Sequence, residues 1–445
     1  MSTTELSERV TGDVVLPDGR DYETLRNAKF GLGAPALIVR VANDEDVRAA
    51  VDYARDNNLD LSVRSGAHGA TGFGTNDGGL VIDLAALNSV ELIDSERNLI
   101  RIGAGAQWGM VADALRPHGL AISSGDTRDV GVGGLLLHGG VGWKVRRYGL
   151  TLDALVAAEV VTAAGDLLRV DTENHPELFW AIRGGGGNLG VVTAFEVTAH
   201  PTTDVMHGTI TYPIEQFGSV LSAWATAMRS APEELSSFLS VHPAMFGPRA
   251  VHVGVTYDGE DKDAAEKALA PLRQLGTVAD DDVKLIPYHE VLFDMGGASP
   301  PPGLRSIAAS HMTPALSDSL IAILADLVSE SENLALDIRA MGGAVNQVPS
   351  EATAFAHRDS EAMVTSVWMH MGADGYDEAV AEVREFWGRL LPHVTGLYAN
   401  FSSMTDEQTI RLLYPERTYQ RLAEIKRTYD PANLFHLNHN VPPAD

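Results

Sequence analysis

The 445-residue chain contains no cysteine. That excludes disulfides, thiolate-held iron–sulfur clusters and cysteine nucleophiles at once. No apolar run approaches the roughly 20 residues a helix needs to cross a bilayer, so no membrane association is expected. The polar, acidic start, MSTTELSERVTGDVV, lacks the basic segment and apolar core of a secretory signal. A cytoplasmic location is the default expectation. Basic residues are scarce: 33 Lys and Arg stand against 60 Asp and Glu, a formal charge of −27. Such a surface repels nucleic acid and anionic membranes, which bind through positive patches, so neither is an expected partner. Internal repeats and low-complexity tracts are also missing.

What is present is an ordinary globular composition, 45% hydrophobic and 21% charged, long enough for two or three domains. PALIVRVAN (35–43) reads as a buried strand, and DEDVRAAVDYARDNN (44–58) as an amphipathic helix capped by Asn43. Strands follow at 59–65 and 79–84, then hairpins at 89–105 and 155–171, the second turning at Ala164-Gly165. A helix at 175–184 and a strand at 190–197 close this half. From about 205 to 395 alternating strands such as VMHGTITY and AVHVGVTY mix with long amphipathic helices. That texture predicts an antiparallel sheet with helices on one side. The tail carries a helix stopped by Asp430-Pro431 and then an extended segment. The fold class is α+β, with an N-terminal domain at 1–204, a second at 205–395, and a segment at 396–445 returning to the first.

Three stretches concentrate glycine. RSGAHGATGFGTNDGG, from residue 64, follows a strand and sets one histidine among six glycines. Glycines permit positive φ and close backbone approach, so successive N–H groups can converge on an anion such as a pyrophosphate. A tight loop around a buried structural histidine is the alternative. SSGDTRDVGVGGLLLHGGVGWKVRRYGL (123–150) packs eight glycines around an apolar stretch. Close approach to a large flat ligand or tight packing between layers explains that density. The third, GGGGNLG (184–190), contains G-x-G-x-x-G, but a helix leads in and a strand leads out. A dinucleotide fingerprint has the opposite order, so a Rossmann site is rejected. HLNH (436–439) lies in an extended tail with no obvious carboxylate partner in the sequence and reads as solvated, since zinc needs three or four convergent ligands. No metal site is expected, and no G-x-S-x-G elbow supports a serine hydrolase.

The ordered motifs VRSGAHG, VGVGGLLLHGGVGW with RRYGL-TLD, PELFWAIRGGGGNLGVVTAFE and YDPANLFHLNHNVPP resemble the berberine-bridge-enzyme-like flavoprotein oxidases. That bacterial-looking match covers about residues 30–200 and 395–443, within the vanillyl-alcohol-oxidase superfamily. The resemblance implies FAD bonded covalently through His68. It places Arg64, Ser65, Gly66, Ala67 and Gly69 around the diphosphate. Gly125, Thr127, Val130, Gly131, Gly133 and Gly134 would pass along the flavin. Asn188, Gly190 and Val192 would reach the adenine side, with Asn400 and Asn438 near the ring. Many relatives attach FAD a second time through a Cys where this chain has Thr127, so a single link is expected. Plant relatives carry a Glu near Gln347, which cannot serve as a base.

The resulting expectation is an oxidase. Hydride passes from an alcohol or amine carbon of a small organic or natural-product substrate to FAD, then oxygen is reduced to hydrogen peroxide. Val130 resembles the small residue that leaves oxygen access open. Small substrate and oxygen are the expected partners, with a homodimer left open. The alternatives are a dehydrogenase, a non-redox tailoring enzyme or a flavin-containing sequestering protein. GLYANFSSM (396–404) reads as a strand placing Tyr398 and Asn400 on one face. By resemblance Tyr398 is the catalytic base. A phenol with a pKa near 10 needs a neighbouring cation or hydrogen bonds for that role, and Arg339 is the named neighbour. Trp368, His370, Arg339 and His311 are the candidates for lining the pocket.

Overall fold

The computed structural model describes residues 1–294, 304–372 and 374–445. Among the described residues its first half holds two larger sheets and a two-stranded pair, Leu120–Ala121 with His200–Pro201. One has four strands, ordered Asp13–Val15, Leu37–Arg40, Leu80–Asp83 and Leu61–Arg64, and the last three are parallel. Helix Asp44–Asp56 covers it, started by Asn43, whose Oδ1 accepts the Asp46 N–H at 3.0 Å. The other sheet has five antiparallel strands, Val90–Asp94, Leu99–Gly103, Val191–Thr198, Leu155–Val161 and Leu167–Val170. Gly165, at φ +84°, makes the turn between the last two, a backbone region that costs glycine nothing.

The second half is one antiparallel sheet of nine strands among the described residues. Helices Phe217–Arg229, Asp318–Glu330 and Tyr376–Leu390 bury one face. Strand periodicity decides what each face shows. Leu334, Leu336, Ile338 and Ala340 enter the helix-side core, with Ile307, Ala309 and Val364 beside them. Met312 and Met363 turn the other way and pack with Val141, Leu150, Phe355 and Tyr398 from outside the sheet. That second face meets the glycine-rich half of the molecule.

Two expectations change. Only Gly396–Leu397 of the segment 396–404 is a strand, pairing with His311 and Met312. Residues Ala399–Phe401 then form a 3-10 turn, closed by the Ser402 N–H to the Ala399 carbonyl and the Ser402 hydroxyl to the Tyr398 carbonyl. Nor is the tail wholly solvated: His439 is buried, while His436 stays part-exposed beside Asp60 at 3.2 Å. Asp430 is fully buried and accepts the Leu434 and Phe435 N–H groups at 2.8 and 2.9 Å. Lys426, also fully buried, donates to the Phe435 carbonyl and Asn440 Oδ1. These buried polar contacts pull His439 inside. No helix among the described residues is long and apolar enough to cross a membrane.

Candidate functional site

The site starts where strand Leu61–Arg64 ends. Arg64 is committed to the fold, held by Asp83 at 2.8 Å and by the Leu25 carbonyl. Ala67 then adopts φ +54°, a left-handed conformation that costs a residue with a Cβ about 1–2 kcal/mol. The strain presents His68. Among the described residues, the N–H groups from Gly66 to Gly69 find no acceptor, and Ser65 Oγ is buried without one. Segment 129–134 closes against this loop. A methyl on Gly66 would lie 2.3 Å from the Gly131 nitrogen, and one on Gly131 would lie 2.1 Å from the Gly66 nitrogen. Glycine is therefore required at both positions. Gly133 packs on the Ser65 side chain, while a Cβ on Gly134 would meet nothing within 4 Å.

His68 faces Asp129, with Nε2 3.3 Å from Oδ2, and Lys29 binds that same carboxylate oxygen. Burial, reinforced by the Lys29 charge, holds the imidazole below its usual pKa although Asp129 pulls it upward. The imidazole is neutral at neutral pH. Thr127 donates to Asp126 Oδ1 at 2.9 Å, and Gly125 abuts Leu135. Val130 is half-buried, its carbonyl taken by the Trp108 N–H at 3.0 Å.

A second group converges from elsewhere in the chain. The Tyr398 hydroxyl accepts the Gly140 N–H at 3.0 Å and the Asn400 amide at 2.9 Å. Tyr398 and Asn400 thus meet through the 3-10 turn and not through strand alternation. Arg339 stands between two carboxylates, Asp126 at 2.7 Å and Asp337 at 2.6 Å. It also donates to the Val141 carbonyl and lies over the Phe238 ring. Burial pushes the Tyr398 hydroxyl above its usual value, outweighing the Asn400, Gly140 and Arg339 contributions that lower it. The expected depression by Arg339 exists in sign but not in sum. Tyr398 rests as the neutral phenol.

The remaining sequence candidates separate. The Asn188 amide donates to the Gly185 and His439 carbonyls, and its oxygen accepts the Val441 N–H. Its side chain is spent on clasping the tail. Gly190 sits at φ +156° against the Val161 carbonyl, and Val192 is buried in the core. Only backbone groups of those two remain for a ligand. Asn438 donates to the Phe435 carbonyl and leaves Oδ1 buried without a partner, as is His439 Nε2. Of the four pocket candidates only Arg339 faces this region. His311 and Trp368 lie near Trp387 on the helix side, and His370 bonds the Asp374 carbonyl at the surface. Gln347 is exposed and donates to Glu233. The sequence reading passed over Lys29, Asp126, Asp129, Asp337 and Gly140. Asp126, Asp129 and Gly140 stood inside the glycine-rich motif; Lys29 and Asp337 carry no local signal. A cavity of about 340 Å³ beside Trp108 and Tyr288, and one of about 220 Å³ beside Arg146 and Trp224, lie apart from these groups.

Bare loop N–H groups, glycines that a methyl would displace, and buried unpaired Ser65, His68 and Asn438 atoms suit a large polar cofactor with a diphosphate. Comparison with known proteins names one. Residues 35–171 match the FAD binding domain family, and residues 398–442 match the family described as berberine and berberine like. The chain is 34% identical over 459 residues to (R)-6-hydroxynicotine oxidase of Paenarthrobacter nicotinovorans, covering 98% of this chain and 97% of that one. It is 27% identical to xylooligosaccharide oxidase of Thermothelomyces thermophilus, over 92% and 88% of the two chains. The crystal structure of 6-hydroxy-D-nicotine oxidase from Arthrobacter nicotinovorans matches with a TM-score of 0.87 and 30% identity across 100% of both chains. This chain belongs to the berberine-bridge-enzyme-like FAD-linked oxidoreductases.

Proposed function

We propose that the protein is an oxidase holding FAD by a single covalent link through His68, acting on an alcohol or amine carbon of a small organic substrate. One observation carries the reading: the strained His68 loop closes on segment 129–134 with its N–H groups and Ser65 Oγ unpartnered. When bound, FAD supplies hydride acceptance from the substrate carbon and return of the electrons to oxygen as hydrogen peroxide. Residues Arg64 to Gly69, with Gly131, Gly133 and Gly134, would hold the diphosphate side. Gly125, Thr127, Val130, Asn400 and Asn438 would hold the ring, and the backbone at Gly190 and Val192 the adenine side. Thr127 has no thiol for a second link. Residues 1–204 and 396–445 form the FAD-binding domain in this reading, and 205–395 the substrate domain.

Substrate would enter against the Arg339 face of the nine-stranded sheet. Once its phenol has lost its own proton to solvent, Tyr398 accepts the substrate proton, and the Gly140 N–H and Asn400 amide that donate to its oxygen favour that phenolate form. Val130 keeps the oxygen path open. Acid-precipitated protein should stay yellow, and a substrate panel should release hydrogen peroxide. Flavin that washes out on precipitation rejects the link. Substrate-reduced enzyme that stays bleached in air, yet reoxidises with a quinone, rejects the oxidase in favour of a dehydrogenase.

A further inference from the structure

We infer that the cavity beside Trp108 and Tyr288 is a second binding site, for a small neutral aromatic molecule whose oxygen accepts hydrogen bonds. The inference is independent of the redox reading above. The cavity, about 340 Å³, lies where the two halves of the chain meet. Helix Trp108–Leu115 and strand Leu120–Ala121 form one wall, and the turn Tyr288–Glu290 with Leu292 forms the other. Its volume falls among small-ligand pockets, about 300–1,000 Å³. Val111, Leu115, Leu120, Ile122 and Leu292, all buried, supply apolar surface. Three lining residues carry a buried polar atom with no partner among the described residues: Trp108 Nε1, Thr202 Oγ1 and the Tyr288 hydroxyl. Trp108 is 1% exposed and Tyr288 5%. Buried polar groups are nearly always paired, so three in the walls of one cavity point to a ligand that pairs with them.

The chemistry of these atoms selects the ligand. An indole N–H only donates, so its partner is an acceptor. Burial pushes the Tyr288 phenol above its usual pKa, so it stays protonated and donates as well. Thr202 donates or accepts. A ketone oxygen satisfies such donors, whereas a hydrocarbon of the same shape leaves them unpaired. Among the lining residues the one permanent cation, exposed Arg116, stands against two exposed carboxylates, Asp204 and Glu290. That balance disfavours an anion, so the acceptor belongs to a neutral molecule. The Trp108 and Tyr288 rings favour an aromatic one.

The test uses the FAD-loaded enzyme and acetophenone, a neutral ketone with no alcohol or amine carbon to oxidise. Titration calorimetry should show saturable binding, at about 1 mM or tighter. Ethylbenzene, which lacks the oxygen, and benzoate, which is charged, should each bind at least tenfold more weakly. Ala112, half-buried in the helix wall, is the place to fill the cavity. Ala112→Phe should weaken acetophenone at least tenfold and leave the visible absorbance of bound FAD unchanged. Thr202→Val and Tyr288→Phe keep the side-chain shape and remove the hydroxyl. Each should weaken acetophenone by about three- to tenfold, and they decide the matter if Ala112→Phe fails to fold. Absence of saturable acetophenone binding overturns the proposal. Binding that these substitutions leave unchanged places the probe elsewhere and overturns it too. Ethylbenzene or benzoate binding as tightly as acetophenone overturns the ligand class.

Discussion

Along strand Leu334–Ala340, Leu336 and Ile338 sink into a helix-packed core, while Asp337 and Arg339 turn toward the glycine-rich half. The two faces of the nine-stranded sheet share every backbone hydrogen bond and differ by one residue of register. One face supplies stability through apolar burial. The other supplies a half-exposed acid, a buried guanidinium and hydroxyl pairs such as Ser310 with Thr365 at 2.8 Å. A slip of one residue would exchange the two, so the apolar face fixes the placement of the polar one.

The comparison is broken most severely at Tyr398, on the site side. Tyr398→Phe should slow flavin reduction by about 10²–10⁴, the usual cost of losing a general base. A variant within threefold of wild type removes Tyr398 from the chemistry. Because burial holds this phenol above its usual value, the phenolate fraction rises tenfold per pH unit below that point. Flavin reduction should therefore climb with pH without levelling before about pH 10. A plateau near neutrality contradicts it.

Arg339→Met should cost about 3 kcal/mol, the low end for breaking a buried ion pair because both carboxylates keep some exposure. Ile338→Ala, one residue away, should cost about 2–5 kcal/mol through its cavity. The two are separated by function: in stopped-flow experiments only Arg339→Met should change substrate affinity. Equal effects on affinity would mean the faces are not independent.

His311 sharpens the helix-side half of the contrast. Burial lowers its pKa from 6.5 to about 4, so the folded state resists a proton that the unfolded chain accepts. Its contribution is complete above pH 6.5 and is lost at up to about 1.4 kcal/mol per pH unit as the pH falls toward 4. His311→Gln should flatten that part of a melting-temperature profile, and an unchanged slope assigns the loss elsewhere. The smallest effect belongs to His370→Ala, at the exposed end of strand Ala362–Met371. Turnover within twofold of wild type is expected, and a larger loss would bring His370 back into the site.

How far the sequence carried depended on the range of the contacts. Asn43, Gly165 and Asp430-Pro431 act on their neighbours, and the elements they bound were legible. The His68 loop was legible for the same reason, since strand, glycines and histidine are contiguous. The strand assigned to 396–404 failed because two local side-chain and backbone bonds curl the chain after Leu397. HLNH was misread at both histidines: Lys426 and Asp430 fold the tail so that His439 is buried, while the part-exposed His436 meets the Asp60 carboxylate at 3.2 Å from a distant loop.

By itself the sequence determined the α+β class, the glycine loops and the FAD-binding family. Each rests on local propensity or on an ordered motif. Only the tertiary structure decided which polar groups meet. Lys29 reaches Asp129 across 100 residues, and Gly140 reaches Tyr398 across 258. Only it decided that Arg339 faces the site while His311 and Trp368 face helices. Alternation along a strand says that neighbours point oppositely, but which side is the site is set by the element packed there.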